Sequence, residues 1–391
     1  MKTLVELEVS GKRVLVRVDF NVPMTEAGEV ADDLRIQTAL PTIKLLLERQ
    51  AKVIICTHMG RPKGEKIPKY SLAPVAEYLA ALLDLPVTMA PDCIGPEAEA
   101  VVAAMAPGEV VMLENLRYYQ QEVDNDPDFA AQLASLAELY VNDAFAVSHR
   151  AHASVVGIPK LMTAKAAGLL LEKELAYFKR SCDQPQRPLV AIVGGAKVSG
   201  KLEALENMLA RVDRLILGGA MANTFLKSQG YEVGASKVEE DLLESADRLL
   251  QEARRQQVKV YLPVDVVAAE RFAPDAVAKQ VTIQDIPPGW MALDIGPASV
   301  LCFQEVLADA KTIVWNGPMG AFEMDAFSRG TTAIAHCVAA SHALSVTGGG
   351  DSNAAIKLSG EAANISYMST GGGAFLMLME GKELPGVAAL A

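Results

Sequence analysis

The amino-acid sequence predicts an α/β protein with two doubly wound parallel-sheet domains, joined by a helix and a hinge. The chain has 391 residues, which is too long for one ordinary hydrophobic core. Apolar, β-branched runs alternate with longer helical patterns, as in repeated βαβ units. The strand-like runs of the first half lead into arginines, whereas those of the second half lead into paired or tripled glycines. We therefore expect one domain in each half.

Four strand-like runs occur in the first half, at residues 14–21, 53–62, 110–119 and 140–150. Residues 71–84 show leucines at helical spacing, which predicts a helix between the second and third runs. Ser71 is placed as the N-cap of this helix and Pro74 falls in its first turn.

The boundary between the domains is predicted from a change in pattern. Residues 161–181 have the pattern of a long amphipathic helix, and a polar stretch with two prolines follows at 182–188. We expect this helix to join the domains and the hinge to lie nearby. The first domain would then cover residues 1–170 and the second 171–370.

The second half repeats a junction of strand, glycine turn and helix, at residues 189–197, 215–221, 344–352 and 365–374. In open α/β sheets, ligands bind beyond the carboxyl ends of the strands. Arginine side chains there suit a small anion with phosphate and carboxylate groups, and glycine turns at helix starts let N–H groups approach nucleotide phosphates. The sequence therefore predicts two binding surfaces for two phosphorylated ligands.

The composition excludes several classes of protein. A formal net charge of −12 repels nucleic acid and anionic membranes, so we expect neither as a partner. The N-terminus lacks a signal-peptide core, and the longest uncharged run, 330–350, is too polar for a membrane span. The five cysteines form no C-x-x-C pair, which favours reduced thiols. We expect a soluble, cytoplasmic protein.

Residues 194–202, GGAKVSGKL, nearly satisfy the P-loop pattern. Gly195, Gly200 and Lys201 fit, but Leu202 stands where a Ser or Thr would bind magnesium, so a standard P-loop kinase is excluded. Lys197 and Lys201 remain beside a glycine turn, where lysines neutralise a transferring phosphoryl group. A glycine turn with solvated lysines is the alternative.

Three further loops of the second half carry polar groups after apolar runs. In GGGDS, Asp351 either caps a helix or holds Mg²⁺ on a nucleotide. Residues 370–382 predict a second glycine-led helix start, whose N–H groups would attract a phosphoryl group, or else a tight turn before a C-terminal helix. In WNGPMGAFE, Glu323 either accepts from ribose hydroxyls or is simply solvated.

The first half combines basic residues with an acid. Asp19 and Asn21 follow a strand. An acid is unexpected in a pocket that binds an anion, unless it accepts hydrogen bonds from a hydroxyl group of the substrate. This suggests a phosphorylated hydroxy acid. The predicted positive clamp around it consists of Arg35, His58, Arg61, Arg117 and Arg150. Unrelated surface residues are the alternative for any one of these. The pair His149 and His152 has no nearby acid or thiol that would complete a metal site.

Together these motifs closely resemble those of the phosphoglycerate kinase family, over essentially the whole chain. RVDFNVP, HMGRP, MLENLRYY, DAFAVSHRAHAS, GGAKVSGK, DIGP, WNGPMGAFE, GGGDS and STGGGA occur in the order of that family. The resemblance implies reversible transfer of the acyl phosphate of 1,3-bisphosphoglycerate to Mg·ADP, giving 3-phosphoglycerate and ATP. It also implies a monomer, and a C-terminal segment at 371–391 that returns to the first domain.

The resemblance implies roles for individual residues. Substrate-binding residues would be Asp19, Phe20, Asn21, Arg35, His58, Met59, Gly60, Arg61, Arg117 and Arg150. Nucleotide-binding residues would be Gly195, Lys197, Lys201, Gly218, Gly219, Asn316, Glu323, Gly349, Gly350, Asp351 and Ser352, with Asp351 also the ligand of Mg²⁺. The residues acting on the transferring phosphoryl group would be Arg35, Lys197, Gly371 and Gly372.

The sequence departs from the family pattern at four positions. Leu34 and Met59 replace a common threonine and leucine, which changes packing rather than charge. Phe375 and Met377 replace a common serine and glutamate near the presumed transfer helix, so its tethering is left open.

We expect direct in-line transfer, because no nucleophile paired with a base is evident. We also expect hinge closure near residues 161–188, since the two substrates would bind to separate domains. Two alternatives remain: a non-catalytic two-lobed sensor of a nucleotide or anion, and a kinase of this fold acting on another phosphorylated acid.

Overall fold

The computed structural model describes residues 1–391 and confirms the α/β class. The chain forms two compact units, one made of Met1–Leu175 with Glu383–Ala391 and the other of Ala176–Lys382. The domain limits predicted from the sequence stay a prediction. No helix combines the length and apolar character that crossing a membrane requires.

The first unit contains a six-stranded parallel sheet. Its strands are β1 (Arg13–Arg17), β2 (Lys52–Cys56), β3 (Val87–Met89), β4 (Val110–Met112), β5 (Leu139–Asn142) and β6 (Lys165–Ala167). They are ordered β3-β4-β2-β1-β5-β6, so β1 is central and pairs with β2 and β5. Val14 and Leu15 point to opposite faces of the sheet and are both completely buried, as expected for a strand covered on both faces.

Seven helices accompany this sheet in sequence. They are α1 (Leu34–Glu48), α2 (Ala73–Leu83), α3 (Gly95–Ala103), α4 (Gln120–Val123), α5 (Pro127–Ser135), α6 (Ile158–Leu161) and α7 (Leu169–Phe178). Helix α2 was predicted, with Pro74 in its first turn, but Leu72 rather than Ser71 occupies the N-cap position. The Ser71 hydroxyl still accepts a hydrogen bond from the Ala73 N–H, at 3.3 Å, and donates to Glu114.

The long helix predicted over residues 161–181 is wrong in its first part. Residues Lys165–Ala167 instead form β6, which pairs with β5 at the edge of the sheet. Helix α7 begins only at Leu169, where Asp143 Oδ1 accepts from the backbone N–H groups of Leu170 and Leu171. An alanine-rich segment favours a helix locally, but the available sheet edge determines its structure.

The second unit contains a six-stranded parallel sheet and a separate three-stranded antiparallel sheet. Its strands are β7 (Leu189–Val193), β8 (Arg214–Leu217), β9 (Lys259–Tyr261), β10 (Asp265–Ala269), β11 (Ala278–Thr282), β12 (Met291–Ile295), β13 (Thr312–Asn316), β14 (Leu344–Thr347) and β15 (Tyr367–Met368). The parallel order is β15-β14-β13-β7-β8-β9, and the antiparallel order is β11-β10-β12. Ile192 and Trp315 are completely buried in the core of this unit.

The remaining helices follow the strands as the sequence pattern predicts. They are α8 (Leu202–Leu209), α9 (Met221–Ser228), α10 (Leu243–Arg255), α11 (Pro297–Leu307), α12 (Arg329–Ala340), α13 (Gly350–Leu358), α14 (Gly372–Met379) and α15 (Pro385–Ala388). The two helix starts predicted from glycine triplets are confirmed by α13 and α14. Helix α15 belongs to the first unit, where the Gly386 N–H donates to Ser148 O at 2.9 Å.

Candidate functional site

Neighbouring parallel strands of the first unit bring several predicted substrate residues to one edge of the sheet. Asp19 follows β1, His58 follows β2, and Arg117 lies beyond β4. Arg35, in the first turn of α1, donates from Nη1 to Asp19 Oδ2 at 2.9 Å. His58 Nδ1 lies 3.8 Å from the other oxygen of Asp19. The structure therefore joins residues that lie far apart in the sequence.

Asn21 and Gly60 connect these strand ends. The Gly60 N–H donates to Asn21 Oδ1 at 2.8 Å, and Arg35 Nη1 also reaches the Asn21 carbonyl at 3.0 Å. Arg117 Nη1 donates to the Gly60 carbonyl at 2.7 Å. Gly60 has φ +61°, and a Cβ there would lie 2.4 Å from the Tyr70 ring, so this turn requires glycine.

The Phe20 and Met59 side chains are buried, with 0% and 4% of their surface exposed. The Phe20 N–H donates to the Thr57 hydroxyl at 2.9 Å, and the Met59 N–H donates to Asn115 Oδ1 at 3.1 Å. Both side chains therefore support the site from its interior.

A basic cavity of about 210 Å³ lies at this edge. It is lined by Arg61, Lys63, Gly64, Arg117, Gln120, Val123, Arg150 and His152. Burial, together with the nearby charge of Arg150, lowers the pKa of Arg117 to about 10. An arginine still carries its charge at that value, so the cavity presents several uncompensated cations. Such a site favours an anion with several oxygens.

His58 differs from the arginines with which the sequence grouped it. Its burial, and then the charge of Arg17, holds the pKa of His58 well below 6.5. His58 is therefore neutral near pH 7 and adds no positive charge to the clamp, contrary to prediction. It can only donate or accept a hydrogen bond at the site.

A buried charge that the sequence pattern did not predict lies next to this cluster. Arg17 lies on β1 with none of its surface exposed, and its guanidinium contacts His58 Nδ1 at 3.1 Å. Arg17 Nε donates to the Ser154 hydroxyl at 2.8 Å, and this hydroxyl donates to Glu122 Oε1 at 2.5 Å. Burial raises the pKa of Glu122, which Arg17 partly offsets. A charge within the apolar run VLVRV was the available signal.

In the second unit, three loops that follow β7, β8 and β13 meet through their main chains. The Gly195 N–H donates to Pro318 O, and the Gly219 N–H donates to Met319 O, both at 3.0 Å. Gly219 has φ +67°, and a Cβ there would lie 2.5 Å from Gly195 N. At Gly218, a Cβ would lie 2.3 Å from Met319 Sδ. We call this layer of loop main chain the glycine floor.

Lys201 ties two of these loops together. Its Nζ donates to Gly194 O at 2.7 Å and to Asn316 O at 3.0 Å. Burial lowers the pKa of Lys201 to about 8, and the charge of Asp351 opposes this shift. Lys197 is exposed, four positions earlier in the same loop. The two lysines of the near P-loop are therefore in different environments.

The glycine triplets 348–350 and 371–373 lie side by side. Gly349 has φ +106°, and a Cβ on Gly372 would lie 3.1 Å from Gly349 Cα. Asn316 Nδ2 donates to Gly348 O at 2.7 Å, and the Gly317 N–H donates to the Ser352 hydroxyl at 2.6 Å. The starts of α13 and α14 therefore present their free N–H groups in one region.

The structure also shows how α14 is held without the serine and glutamate expected there. Phe375 has 1% of its surface exposed and packs edge-on against Phe178, with ring centroids 5.7 Å apart. A Cβ on Gly348 would lie 2.2 Å from the Phe375 ring. Apolar packing therefore fixes this helix start against the neighbouring glycine turn.

Above the glycine floor lies a largely apolar cavity of about 490 Å³. Its lining includes Gly195, Gly219, Phe272, Met291, Leu293, Phe322, Glu323 and Asp351. Apolar walls with a few polar groups, here the Glu323 and Asp351 carboxylates, are typical of sites for small organic ligands. Asp351 is an exposed carboxylate, and no group of three or more His, Cys, Asp or Glu side chains forms a metal site elsewhere. A single carboxylate suits Mg²⁺ that arrives with phosphate oxygens and water.

Comparisons with known proteins identify one family. A family model described as phosphoglycerate kinase matches residues 4–382. The chain is 64% identical over 390 residues to a phosphoglycerate kinase of Desulfotalea psychrophila, covering 100% of both chains. It is 58% identical over 382 residues to one of Geobacter metallireducens, covering 98% of this chain and 96% of the relative.

Solved structures show the same similarity. The phosphoglycerate kinase from Coxiella burnetii superposes with a TM-score of 0.91 at 41% identity. The enzyme from Pyrococcus horikoshii OT3 superposes with a TM-score of 0.86 at 33% identity. Each comparison covers 100% of this chain and 98% of the solved chain.

Proposed function

The chain belongs to the phosphoglycerate kinase family, and we propose that it transfers the acyl phosphate of 1,3-bisphosphoglycerate reversibly to Mg·ADP, giving 3-phosphoglycerate and ATP. The observation that carries this proposal is the presence of two unlike cavities, one in each unit. An arginine cavity lies in one unit, and an apolar cavity over a glycine floor lies in the other.

The first unit would bind the phosphoglycerate. Arg61, Arg117 and Arg150 line one cavity, which supports binding of the phosphate that is not transferred. Asp19 and Asn21 would orient the substrate through its hydroxyl group. Phe20, His58, Met59 and Gly60 would shape this pocket, since their contacts fix the strand ends around it.

The second unit would bind the nucleotide. Gly195, Gly218 and Gly219 would admit it onto the glycine floor, while Glu323 would accept from the ribose. Lys201, Asn316 and the turn from Gly349 to Ser352 would hold the phosphates. Asp351 would bind Mg²⁺, whose charge would offset that of the phosphate oxygens.

The proposed transfer is direct and in-line. The attacking oxygen of ADP replaces the carboxylate oxygen on phosphorus, and the carboxylate leaves without needing a proton. Arg35, Lys197 and the N-terminus of α14 at Gly371 and Gly372 would offset the charge on the transferring oxygens. No covalent intermediate with the protein is required.

Because the two sites lie in different units, transfer requires the two ligands to approach each other. We propose closure at a hinge near residues 161–188, with water excluded from the reacting groups. A monomeric state, inferred from the family, and a cytoplasmic location, inferred from the cysteine pattern, complete the proposal.

The decisive experiment measures ADP formation from Mg·ATP with and without 3-phosphoglycerate. Wild type should turn over only when 3-phosphoglycerate is present. Arg35→Ala and Lys197→Ala should each lower kcat by about 100- to 1000-fold, because each removes a cation from the transfer site. Other phosphorylated hydroxy acids, supplied in place of 3-phosphoglycerate, should give little turnover.

Matched controls are Arg13→Ala and Lys227→Ala, which remove partly exposed cations paired with Glu138 and Glu240. Both should retain activity. If wild type binds both ligands but shows no turnover, the protein would instead be a non-catalytic sensor. If it turns over another phosphorylated acid faster than 3-phosphoglycerate, it would be a kinase of this fold with a different substrate.

A further inference from the structure

The loop that carries Lys197 is held by a carboxylate from a distant part of the chain. Glu239 Oε2 accepts from the backbone N–H of Val198 at 2.5 Å and from that of Ser199 at 3.1 Å. Glu239 Oε1 accepts from the Ser199 hydroxyl at 2.5 Å. One side chain therefore accepts three hydrogen bonds from two consecutive residues, immediately after Lys197.

These contacts determine which groups of the loop 194–202 remain available to bind a phosphate. In a standard P-loop, consecutive N–H groups of the loop cradle phosphates. Here the N–H groups of Val198 and Ser199 are directed to Glu239 instead. These two N–H groups already have an acceptor, and the exposed Lys197 side chain beside them is left to meet a phosphoryl group at this part of the loop.

Glu239 is itself firmly placed. Its N–H donates to the Thr224 hydroxyl at 3.2 Å, and Thr224 lies on α9, the helix that follows the glycine turn at 218–219. Its carbonyl accepts from the Leu242 N–H at 3.0 Å, in the turn that leads to α10. The carboxylate thus links the loop after β7 to the element after β8.

The loop is also held by contacts of Val198. Val198 has none of its surface exposed, and its carbonyl accepts from the Lys201 N–H at 2.8 Å. With Val198 held on both sides, the backbone of Lys197 has little freedom, while its exposed side chain can extend. Burial raises the pKa of Glu239, but the hydrogen bonds from Ser199 and Val198 outweigh this and lower it, so the carboxylate stays charged.

We propose that Glu239 is a positioning residue, which fixes the loop 197–200 so that Lys197 meets the transferring phosphoryl group. This inference rests on the proposed function. A displacement of a reacting group by about 1 Å costs roughly 100-fold in rate. We therefore expect Glu239→Ala to lower kcat about 30- to 100-fold and to change KM for ATP less than threefold. Glu239→Gln retains one acceptor oxygen and should lose less.

A double-mutant cycle with Lys197→Ala tests the proposal. If Glu239 acts through Lys197, then adding Glu239→Ala to Lys197→Ala should lower kcat less than about threefold further. The matched control is Glu240→Ala, which removes the next glutamate, an exposed partner of Lys227. It should leave kcat unchanged in both backgrounds.

A purely structural role would give a different pattern. Glu239→Ala would then lower the free energy of unfolding and change kcat by the same factor in both backgrounds, which would overturn the proposal. Amide hydrogen exchange measures the mobility of the loop independently of enzymatic activity. The amides of Val198 and Ser199 should exchange at least tenfold faster in Glu239→Ala than in Glu240→Ala.

The outcomes separate this inference from the proposed function. If wild type shows no turnover that depends on 3-phosphoglycerate, the proposed function fails, and the role of Glu239 in transfer fails with it. If wild type turns over but Glu239→Ala retains full kcat or unchanged amide exchange, only the inference about Glu239 is overturned.

Discussion

Arg35 and Asp19 form an ion pair, with 2.9 Å between Nη1 and Oδ2, although Arg35 lies in the first turn of a helix and Asp19 follows a strand. Asp19 has 9% of its side chain exposed and Arg35 has 37%. The same carboxylate that we expect to bind a substrate hydroxyl therefore also orients the arginine proposed for transfer. We therefore expect substrate binding and phosphoryl transfer to be coupled at Asp19.

We expect Asp19→Asn to lower kcat/KM for 3-phosphoglycerate by about 10- to 100-fold. The substitution keeps the shape but weakens a charged hydrogen bond, an effect of about 1.5–3 kcal/mol. Steady-state kinetics at several 3-phosphoglycerate concentrations would measure the change. Asp128→Asn, at an exposed position of α5, is the control. Equal kinetics of the two variants would contradict the coupling.

The pKa of Lys201 predicts a pH dependence. Burial lowers this pKa from 10.5 to about 8. Between these values only the unfolded chain holds the proton, so this residue makes the free protein more stable as pH rises from about 8 to 10.5. Nucleotide phosphates favour the protonated lysine. ADP affinity should therefore fall above pH 8, by up to about tenfold per pH unit.

Calorimetry of ADP binding in two buffers with different ionisation heats would detect the proton taken up at pH 9. In Lys201→Arg the charge is permanent, so both the proton uptake and the pH dependence of affinity should be lost. The same slope in wild type and Lys201→Arg would assign the titration to another group.

The glycine floor predicts a steric limit. Gly219→Ala would place a Cβ 2.5 Å from Gly195 N, at a backbone conformation that already disfavours alanine. Gly230→Ala shares a positive φ, +90°, but has open space around the new Cβ. We expect Gly230→Ala to cost about 1–2 kcal/mol of stability and Gly219→Ala about 1–3 kcal/mol more. Urea unfolding and ADP binding would measure both, and equal losses would refute the steric argument.

Ser154→Ala should destabilise the protein by about 2–3 kcal/mol. It removes the hydroxyl that joins the buried Arg17 and Glu122, and both charged groups would lose a hydrogen-bond partner. Ser135→Ala, on the exposed surface of α5, should change stability by less than about 0.5 kcal/mol. Thermal and urea unfolding of the two variants gives the comparison. If Ser154→Ala leaves the free energy of unfolding unchanged, then Arg17 and Glu122 do not depend on the Ser154 hydroxyl.

The sequence predicted the parallel sheets and the residues at their carboxyl edges because both depend on local pattern. Strands buried on both faces appear as apolar runs, and each run ends near a candidate site residue, as with Asp19 and His58. The antiparallel sheet was missed because its strand β11, AKQVT, is mostly exposed and carries no apolar run. Strand β6 was missed because its helix propensity is overridden by pairing with β5.

Two features of the site depend on contacts between distant residues and were therefore not predicted. Glu239 lies about 40 positions from the loop it holds, and nothing in the segment around it differs from a solvated acidic stretch. The neutral state of His58 follows from its burial beside Arg17, which only the folded chain shows. Sequence patterns identified the candidate residues, but they did not predict the charge state of these residues or the distant side chains that hold them in place.

The placement of α15 affects how the protein is made. Residues Glu383–Ala391 belong to the first unit, where Ala389 packs with Val147 and Val155. During synthesis from the N-terminus, the first unit therefore emerges early but lacks residues 383–391 until the second unit has also been translated. The second unit is continuous and needs no later residues. A ribosome that stalls before residue 383 would thus leave the N-terminal unit incomplete, with part of its apolar surface open to chaperones.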